Sequence, residues 1–231
     1  TLGHAENGAD EPLPIYGPEP LLPALQALTL FAPRLPFPVR AVVLGGGETF
    51  TIDEVPGLEV SCAPLAHEVP CLAYALAVPR APRFDPDRAR ALGVPQAEWR
   101  RLQRGEAVRV GERVVAPADV LGPPRRGLRL VLATDTRPTP ALPPFVAGAD
   151  LLIADAMYAY EADKPKRWEA QHLTFAEAAS VARDGGARRL WLTHYSPALA
   201  DPAAYLDRAT ALFPATTLGH DGLTASLTFE E

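Results

Sequence analysis

Leu128-Arg129-Leu130-Val131-Leu132-Ala133-Thr134-Asp135-Thr136-Arg137-Pro138 decides how the chain is read. Residues 128–134 form a short, strongly apolar run that predicts a buried strand ending at Asp135. The pattern recurs downstream. Leu151 to Ala154 is a second buried strand leading to Asp155, and Leu190 to Thr193 a third ending at His194. Between the last two, a helix is predicted over Phe175 to Arg183. Thr174 and Glu177 have the spacing of a capping box at its start, and Gly185-Gly186 supplies its stop. Strands that alternate with helices in this way predict an α/β sandwich.

Outward from that centre, Tyr205 to Phe213 reads as a final helix before a closing hairpin. Upstream, Val108 to Val115 predicts a strand pair turning at Gly111-Glu112, and residues 83–104 an amphipathic helical segment interrupted at Pro95. Residues 71–78, 58–62 and 39–44 read as strands, Leu21 to Phe31 as a helix, and Leu13 to Gly17 as a strand stopped by Gly17-Pro18. Glu6 to Glu11 is a polar loop, and Thr1-Leu2-Gly3-His4 reads like the end of a helix begun earlier.

With 231 residues, 48% apolar and 22% charged, one large domain with a substantial core is expected. No apolar run approaches the ~18–20 residues that span a bilayer. Two cysteines, Cys62 and Cys71, form neither a CxxC pair nor a disulfide framework, and no export signal is visible. A cytoplasmic setting is the expectation. The net charge of −6 argues weakly against a general nucleic-acid binder, but its distribution is uneven. Between Arg80 and Arg126 stand 11 arginines against 6 acidic residues, half of all the basic residues in about a fifth of the chain. A solvated basic helix and a phosphate-contacting arm both fit that run.

The histidines carry more. His67 falls in the turn between two apolar strands, and Asp135 and His194 directly follow strands. Ligands bind at the carboxyl ends of strands in α/β sheets, and imidazole and carboxylate are the usual non-thiolate zinc ligands. A carboxylate between two ions can bridge them. His172 stands just ahead of a helix start, either as a neighbour of the cap or as a general acid with a near-neutral pKa. Thr136 and Arg137 either contact a phosphate or close a turn. His4 and His220 lie in polar surroundings and read as surface residues.

Several stretches resemble ribonuclease Z, a family of metallo-β-lactamase-fold endonucleases. Ala133-Thr134-Asp135-Thr136-Arg137-Pro138 resembles its Gly-Asp-Thr-Arg-Pro segment, and Leu192-Thr193-His194-Tyr195-Ser196 its Leu-Thr-His-Phe-Ser segment. Ala66-His67-Glu68-Val69-Pro70 with Leu72-Ala73-Tyr74 resembles its His-x-Val-Pro-x-x-Gly-Tyr segment, and Leu13 to Pro18 its Leu-x-Ile-Tyr-Gly-Pro strand. Phe84-Asp85, Leu92 to Pro95, Trp99, Leu102 to Gly105 and Val120 to Pro123 resemble its tRNA-binding arm and the segment after it. His172-Leu173-Thr174 stands where the family has His-Ser-Thr, and Asp155-Ala156 stands where it has Glu-Ala.

The resemblance implies an αββα four-layer sandwich formed by residues 1–231, incomplete at the N-terminus, with residues 80–106 as an inserted basic arm. It implies two zinc ions per subunit in the complete protein, with His67, Asp135 and His194 among the ligands. Asp135 would bridge the ions and His172 would protonate the leaving group. Thr136, Arg137 and Ser196 would contact phosphate, and Arg88, Arg90, Arg100, Arg101 and Arg104 the tRNA backbone. The implied reaction is zinc-dependent cleavage of precursor tRNA 3′ of the discriminator base, by a homodimer. The family's His-x-His-x-Asp-His motif is absent from these 231 residues. The expectation is therefore a chain truncated just downstream of that motif, of doubtful activity by itself. Two alternatives stand beside this reading: a hydrolase of a small ester or thioester, and a non-catalytic chain that binds tRNA or pairs with a complete subunit.

Overall fold

The structure is a computed structural model and describes residues 12–30, 35, 37–52, 55–163 and 172–230. The expected helix end at Thr1 to His4, the loop at Glu6 to Glu11, the surface position of His4 and the last residue of the Leu21 to Phe31 helix lie outside these. The chain divides into two compact units. One comprises Thr1–Ala77 and Arg129–Leu227, the other Val78–Leu128 and Thr228–Glu231.

In the first unit, β1 (Leu13–Gly17) and β2 (Val39–Val43) pair in parallel as a two-stranded sheet, joined by α1 (Leu21–Thr29). The larger sheet has seven strands. These are β3 (Thr49–Thr51), β4 (Glu59–Pro64), β5 (Leu72–Arg80), β8 (Arg125–Ala133), β9 (Leu151–Asp155), β10 (Leu190–Thr193) and β11 (Thr216–Leu218), in the order β11-β10-β9-β8-β5-β4-β3. β3, β4 and β5 are antiparallel neighbours, whereas β8, β9, β10 and β11 run parallel. Parallel pairing aligns the carboxyl ends of β8, β9 and β10 along one edge, with Ala133 opposite Ala154 and Thr193 opposite Asp155.

The helix α5 (Phe175–Asp184) covers one face of these strands. Its capping box forms as the spacing predicts: Glu177 N–H donates to Thr174 Oγ1 at 3.1 Å, and Thr174 N–H to Glu177 Oε2 at 2.7 Å. Gly186 ends it at φ 64, a left-handed turn that a residue with a Cβ enters only with strain. Phe175, Ala178, Ala179 and Ala182 pack into one buried cluster with Val131, Leu152, Leu190 and Leu192. Small alanines let the helix lie close on the strands, so the core is dense where the site is anchored.

Four features differ from the sequence expectation. The helix expected over Tyr205 to Phe213 is a 3-10 turn, Pro202–Tyr205, followed by a short α6 (Asp207–Thr210). Asp201 caps the Ala203 N–H with Pro202 at the first position, which moves the helical start upstream. The closing hairpin is absent among the described residues. Thr216–Leu218 instead pairs in parallel with β10 as the sheet's edge, in register Leu190 to Thr216. β3 and a short helix α4 (Leu142–Val146) were not foreseen; Pro143 and Pro144 disguise α4, but prolines are tolerated in a helix's first turn.

The second unit has a small core of its own. Ala89, Val94, Leu102, Val108, Val115 and Val120 are buried together, with Phe84, Leu92 and Trp99 packed around them. Its helices are α2 (Pro86–Ala91) and α3 (Trp99–Gln103), followed by the hairpin β6 (Val108–Val110) and β7 (Arg113–Val115). Asp85 starts α2 by accepting the Asp87 and Arg88 N–H groups at 3.0 Å, with Pro86 at the first helical position. Residues 80–106, expected as an arm, lie inside this unit.

Candidate functional site

The site is assembled by strand ends. β8 delivers Asp135, β9 ends on Asp155, β10 delivers His194, the β4–β5 turn carries His67, and the residues leading into α5 carry His172. Every one except Asp155 was expected from sequence. Asp155, read from the sequence as the end of a strand and as standing where ribonuclease Z has Glu, but given no role in the site, is its hub.

Asp155 is fully buried. Its Oδ2 lies 2.7 Å from His172 Nδ1 and accepts the Thr136 N–H at 3.4 Å. Its Oδ1 lies 3.4 Å from His194 Nδ1 and accepts the Met157 N–H at 3.1 Å. One carboxylate thus orients two imidazoles, one per oxygen, and a proton on each Nδ1 leaves each Nε2 with its lone pair. Burial pushes the Asp155 carboxyl above its ordinary range, while the hydrogen bond and charge of His172 and the charge of His194 pull it back.

Around this hub the remaining groups converge. His194 Nε2 is 3.3 Å from Asp135 Oδ1. The His172 ring lies 5.1 Å from that of His194 and 5.3 Å from that of His67. Ligand atoms of His67, Asp135 and His172 lie within 4.8 Å of one another, as do those of Asp155, His172 and His194. Nitrogen and carboxylate oxygen at these separations are the donor set that suits a divalent transition metal. The Val69 N–H donates to His67 Nδ1 at 3.2 Å.

Asp135 and His194 both adopt a left-handed backbone, φ 58 at each. Strain of this kind at non-glycine residues gathers where side-chain direction matters more than backbone comfort.

The expected phosphate contacts separate. Thr136 is fully buried; its Oγ1 accepts the Ala66 N–H at 3.2 Å and donates to the Arg137 carbonyl at 2.9 Å. Its hydroxyl thus ties the His67 turn to the Asp135 turn. Arg137 is exposed. Ser196 lies half-buried beyond His194, its Oγ accepting the Ala198 N–H at 3.2 Å. His220 is exposed, as read from the sequence.

The arginines of the second unit separate as well. Arg88 pairs with Asp85 at 3.3 Å, Arg90 with Asp87 at 2.6 Å, and Arg101 with both Glu98 and Glu106 at 2.9 Å. Arg100 and Arg104 have no acidic partner among the described residues, and both are exposed. Of the five arginines expected to meet RNA, these two carry charge that no carboxylate offsets.

A family model described as β-lactamase superfamily domain matches residues 2–195. The protein named ribonuclease Z in Lachnospira eligens is 35% identical over 231 residues, covering 100% of this chain and 75% of that protein. The protein of the same name in Clostridium acetobutylicum is 35% identical over 233 residues, covering 98% and 74%. Among solved structures, the short form of human tRNase Z matches at a TM-score of 0.55 and 18% identity, covering 95% of this chain and 70% of that one. The metallo-β-lactamase-fold protein YhfI of Bacillus subtilis matches at 0.57 and 18%, covering 91% and 64%. At such identity the structural likeness speaks for the fold, and the fold is the metallo-β-lactamase sandwich expected from the sequence.

Proposed function

The chain belongs to the ribonuclease Z family of the β-lactamase superfamily, and from that premise we propose that it is a zinc-dependent endoribonuclease that removes the 3′ trailer of precursor tRNA. The observation that carries this reading is the convergence of His67, Asp135, Asp155, His172 and His194 on one group of strand ends.

By donor chemistry His67, Asp135 and His194 would be ligands to zinc; ligand atoms of His67 and Asp135 lie within 4.8 Å of one another, and His194 Nε2 lies 3.3 Å from Asp135 Oδ1. The family's His-x-His-x-Asp-His motif, which these 231 residues lack, would supply further donors. Ligation through His67 Nε2 puts a proton on Nδ1, so it would exchange the Val69 contact for another. Zinc bound here supplies Lewis acidity, neutralising charge on the phosphate and acidifying a water toward neutral pH.

The chain's own groups perform the rest. His172, protonated on both ring nitrogens, gives its Nε2 proton to the leaving 3′-oxygen as a water oxygen bonds the phosphorus and the phosphorus–oxygen bond breaks, leaving a 3′-hydroxyl on the tRNA and a 5′-phosphate on the trailer. Asp155 holds Nδ1–H, so it fixes the ring's orientation and stabilises the imidazolium before transfer. Arg137 is the exposed cation beside this cluster and would steady the phosphate. In the arm, Arg100 and Arg104 would grip the RNA backbone without reading sequence, and Arg88, Arg90 and Arg101 would contribute less because carboxylates already hold them. No helix among the described residues is long and apolar enough to cross a membrane. A cytoplasmic homodimer, in which one subunit's arm holds tRNA bound at the other's site, completes the reading.

The test is cleavage of a precursor tRNA with a 3′ trailer by the 231-residue protein supplied with zinc, with both new ends mapped. A single cut after the discriminator base, leaving 3′-hydroxyl and 5′-phosphate ends, supports the proposal. Hydrolysis of a small ester or thioester with the RNA left intact would overturn it.

A further inference from the structure

A cavity of about 320 Å³ that none of the roles above uses is lined by Ser196 and by Tyr158, the neighbour of the His172 ring. Its walls include Met157, Tyr158, Asp163, Ser196, Leu199 and Tyr205. Two tyrosine rings, a thioether, a leucine and two alanines supply the apolar half of the surface, and the tyrosine and serine hydroxyls with the Asp163 carboxylate supply polar groups. Such walls suit a flat, apolar-faced group with polar edges.

Its position follows from backbone bonds to the catalytic cluster. The Met157 N–H donates to Asp155 Oδ1, and the Ser196 N–H donates to the Met157 carbonyl at 3.2 Å. The Tyr158 N–H bonds the Leu173 carbonyl at 3.4 Å, and the Phe175 N–H bonds the Tyr158 carbonyl at 3.1 Å, so Tyr158 is laced to the segment carrying His172. The Tyr158 ring stands edge-on to His172, 6.3 Å between centroids. Across the cavity, Tyr205 is braced by Tyr160 at 5.7 Å, and Arg208 holds Tyr160 from above. The pocket is therefore registered to the proton donor by main-chain bonds as well as by packing.

We propose that this pocket receives the nucleobase of the nucleotide whose 3′-oxygen leaves, stacking it on Tyr158 and Tyr205. The inference rests on the endoribonuclease reading. His172 serves the leaving oxygen, and the base attached to the same ribose is the group within reach of a cavity on His172's flank. Stacking accepts any base, since every base has a π face, while Ser196 and Asp163 can meet its polar edge. The pocket would set the position of the cut by holding one unstacked base at the end of the acceptor stem.

The experiment uses the product, which cannot be cut again: an acceptor-stem minihelix ending in 2-aminopurine with a 3′-hydroxyl, titrated with the full chain. Stacking quenches 2-aminopurine fluorescence. The expected result is several-fold quenching by the wild type and by Tyr205→Phe. Tyr205→Leu and Leu199→Phe, the second filling the cavity, should lose most of the quenching while Kd stays within about threefold. In cleavage, Leu199→Phe should lower kcat/KM about tenfold on a normal precursor, and by far less on one abasic at that nucleotide. Unchanged quenching in both variants at unchanged Kd would overturn the inference and leave the endoribonuclease reading standing. An RNA that neither binds nor is cut would overturn both.

Discussion

Asp135 and His194 stand one after each of two parallel strands, share φ 58, and meet with His194 Nε2 3.3 Å from Asp135 Oδ1. Among the described residues they are the only non-glycine positions with positive φ. An L-residue there gives up about 1–2 kcal/mol relative to ordinary backbone. His194→Gly should therefore be more stable than His194→Ala by about 1 kcal/mol, since both lose the imidazole but only Gly sheds the strain. Urea unfolding of the two variants measures this directly. An alanine variant as stable as the glycine one would mean that no strain is stored.

Asp155→Asn keeps the shape but loses the charge that holds two rings. It should reduce RNA cleavage about 10–100-fold, the range typical for groups that orient metal-site histidines. Kd for the product minihelix should hardly change. An equal fall in binding would place Asp155 in recognition and not in orientation.

Charge in the arm predicts a salt effect. Arg100→Ala with Arg104→Ala should weaken RNA binding and flatten the slope of log K against log salt by about 0.9 for each phosphate that the variant no longer neutralises. Hydrolysis of a small phosphodiester should be unchanged. Arg88→Ala and Arg90→Ala, whose guanidinium groups already face Asp85 and Asp87, should move the slope less.

Thr174→Ala removes half of the capping box on α5. The expected cost is about 1 kcal/mol, or about 2–4 °C in Tm for a domain of this size. Cleavage should fall more than stability alone explains, because His172 is two residues away. Calorimetry and initial rates on the same preparation separate the two effects.

Tyr195 gives a pH signature. Its hydroxyl donates to the Leu192 carbonyl at 2.6 Å, and burial pushes its pKa up to about 12. An unfolded tyrosine ionises near about pH 10. The contribution of this residue is complete below the unfolded pKa and drains away as pH rises toward the folded one. The wild type's Tm advantage over Tyr195→Phe should therefore hold steady to about pH 9 and shrink between about 10 and 12.

The strands that build the site were legible because each is a short apolar run closed by Asp or His. Asp155 carried the same mark at the end of Leu151 to Ala154. Nothing local, however, reveals that one carboxylate serves rings 17 and 39 residues away. Thr136 shows the opposite limit: a threonine beside an arginine suits phosphate, and only the fold reveals that its hydroxyl bonds Ala66. The arm's ion pairs were half legible, as Asp85 with Arg88 and Asp87 with Arg90 lie three apart on a helix. The parallel edge strand at Thr216–Leu218 was not legible, since its partner β10 is chosen by long-range pairing, and a terminal strand near a Gly suggests a hairpin first.

The basic unit's own core has a kinetic consequence. Leu102, Val108, Val115 and Val120 bury one another, so no part of that cluster opens without exposing the rest. Amides across α3 and the β6–β7 hairpin should exchange with deuterium through a shared opening, at a common free energy, instead of fraying one by one. RNA that engages the closed form would slow all of them together.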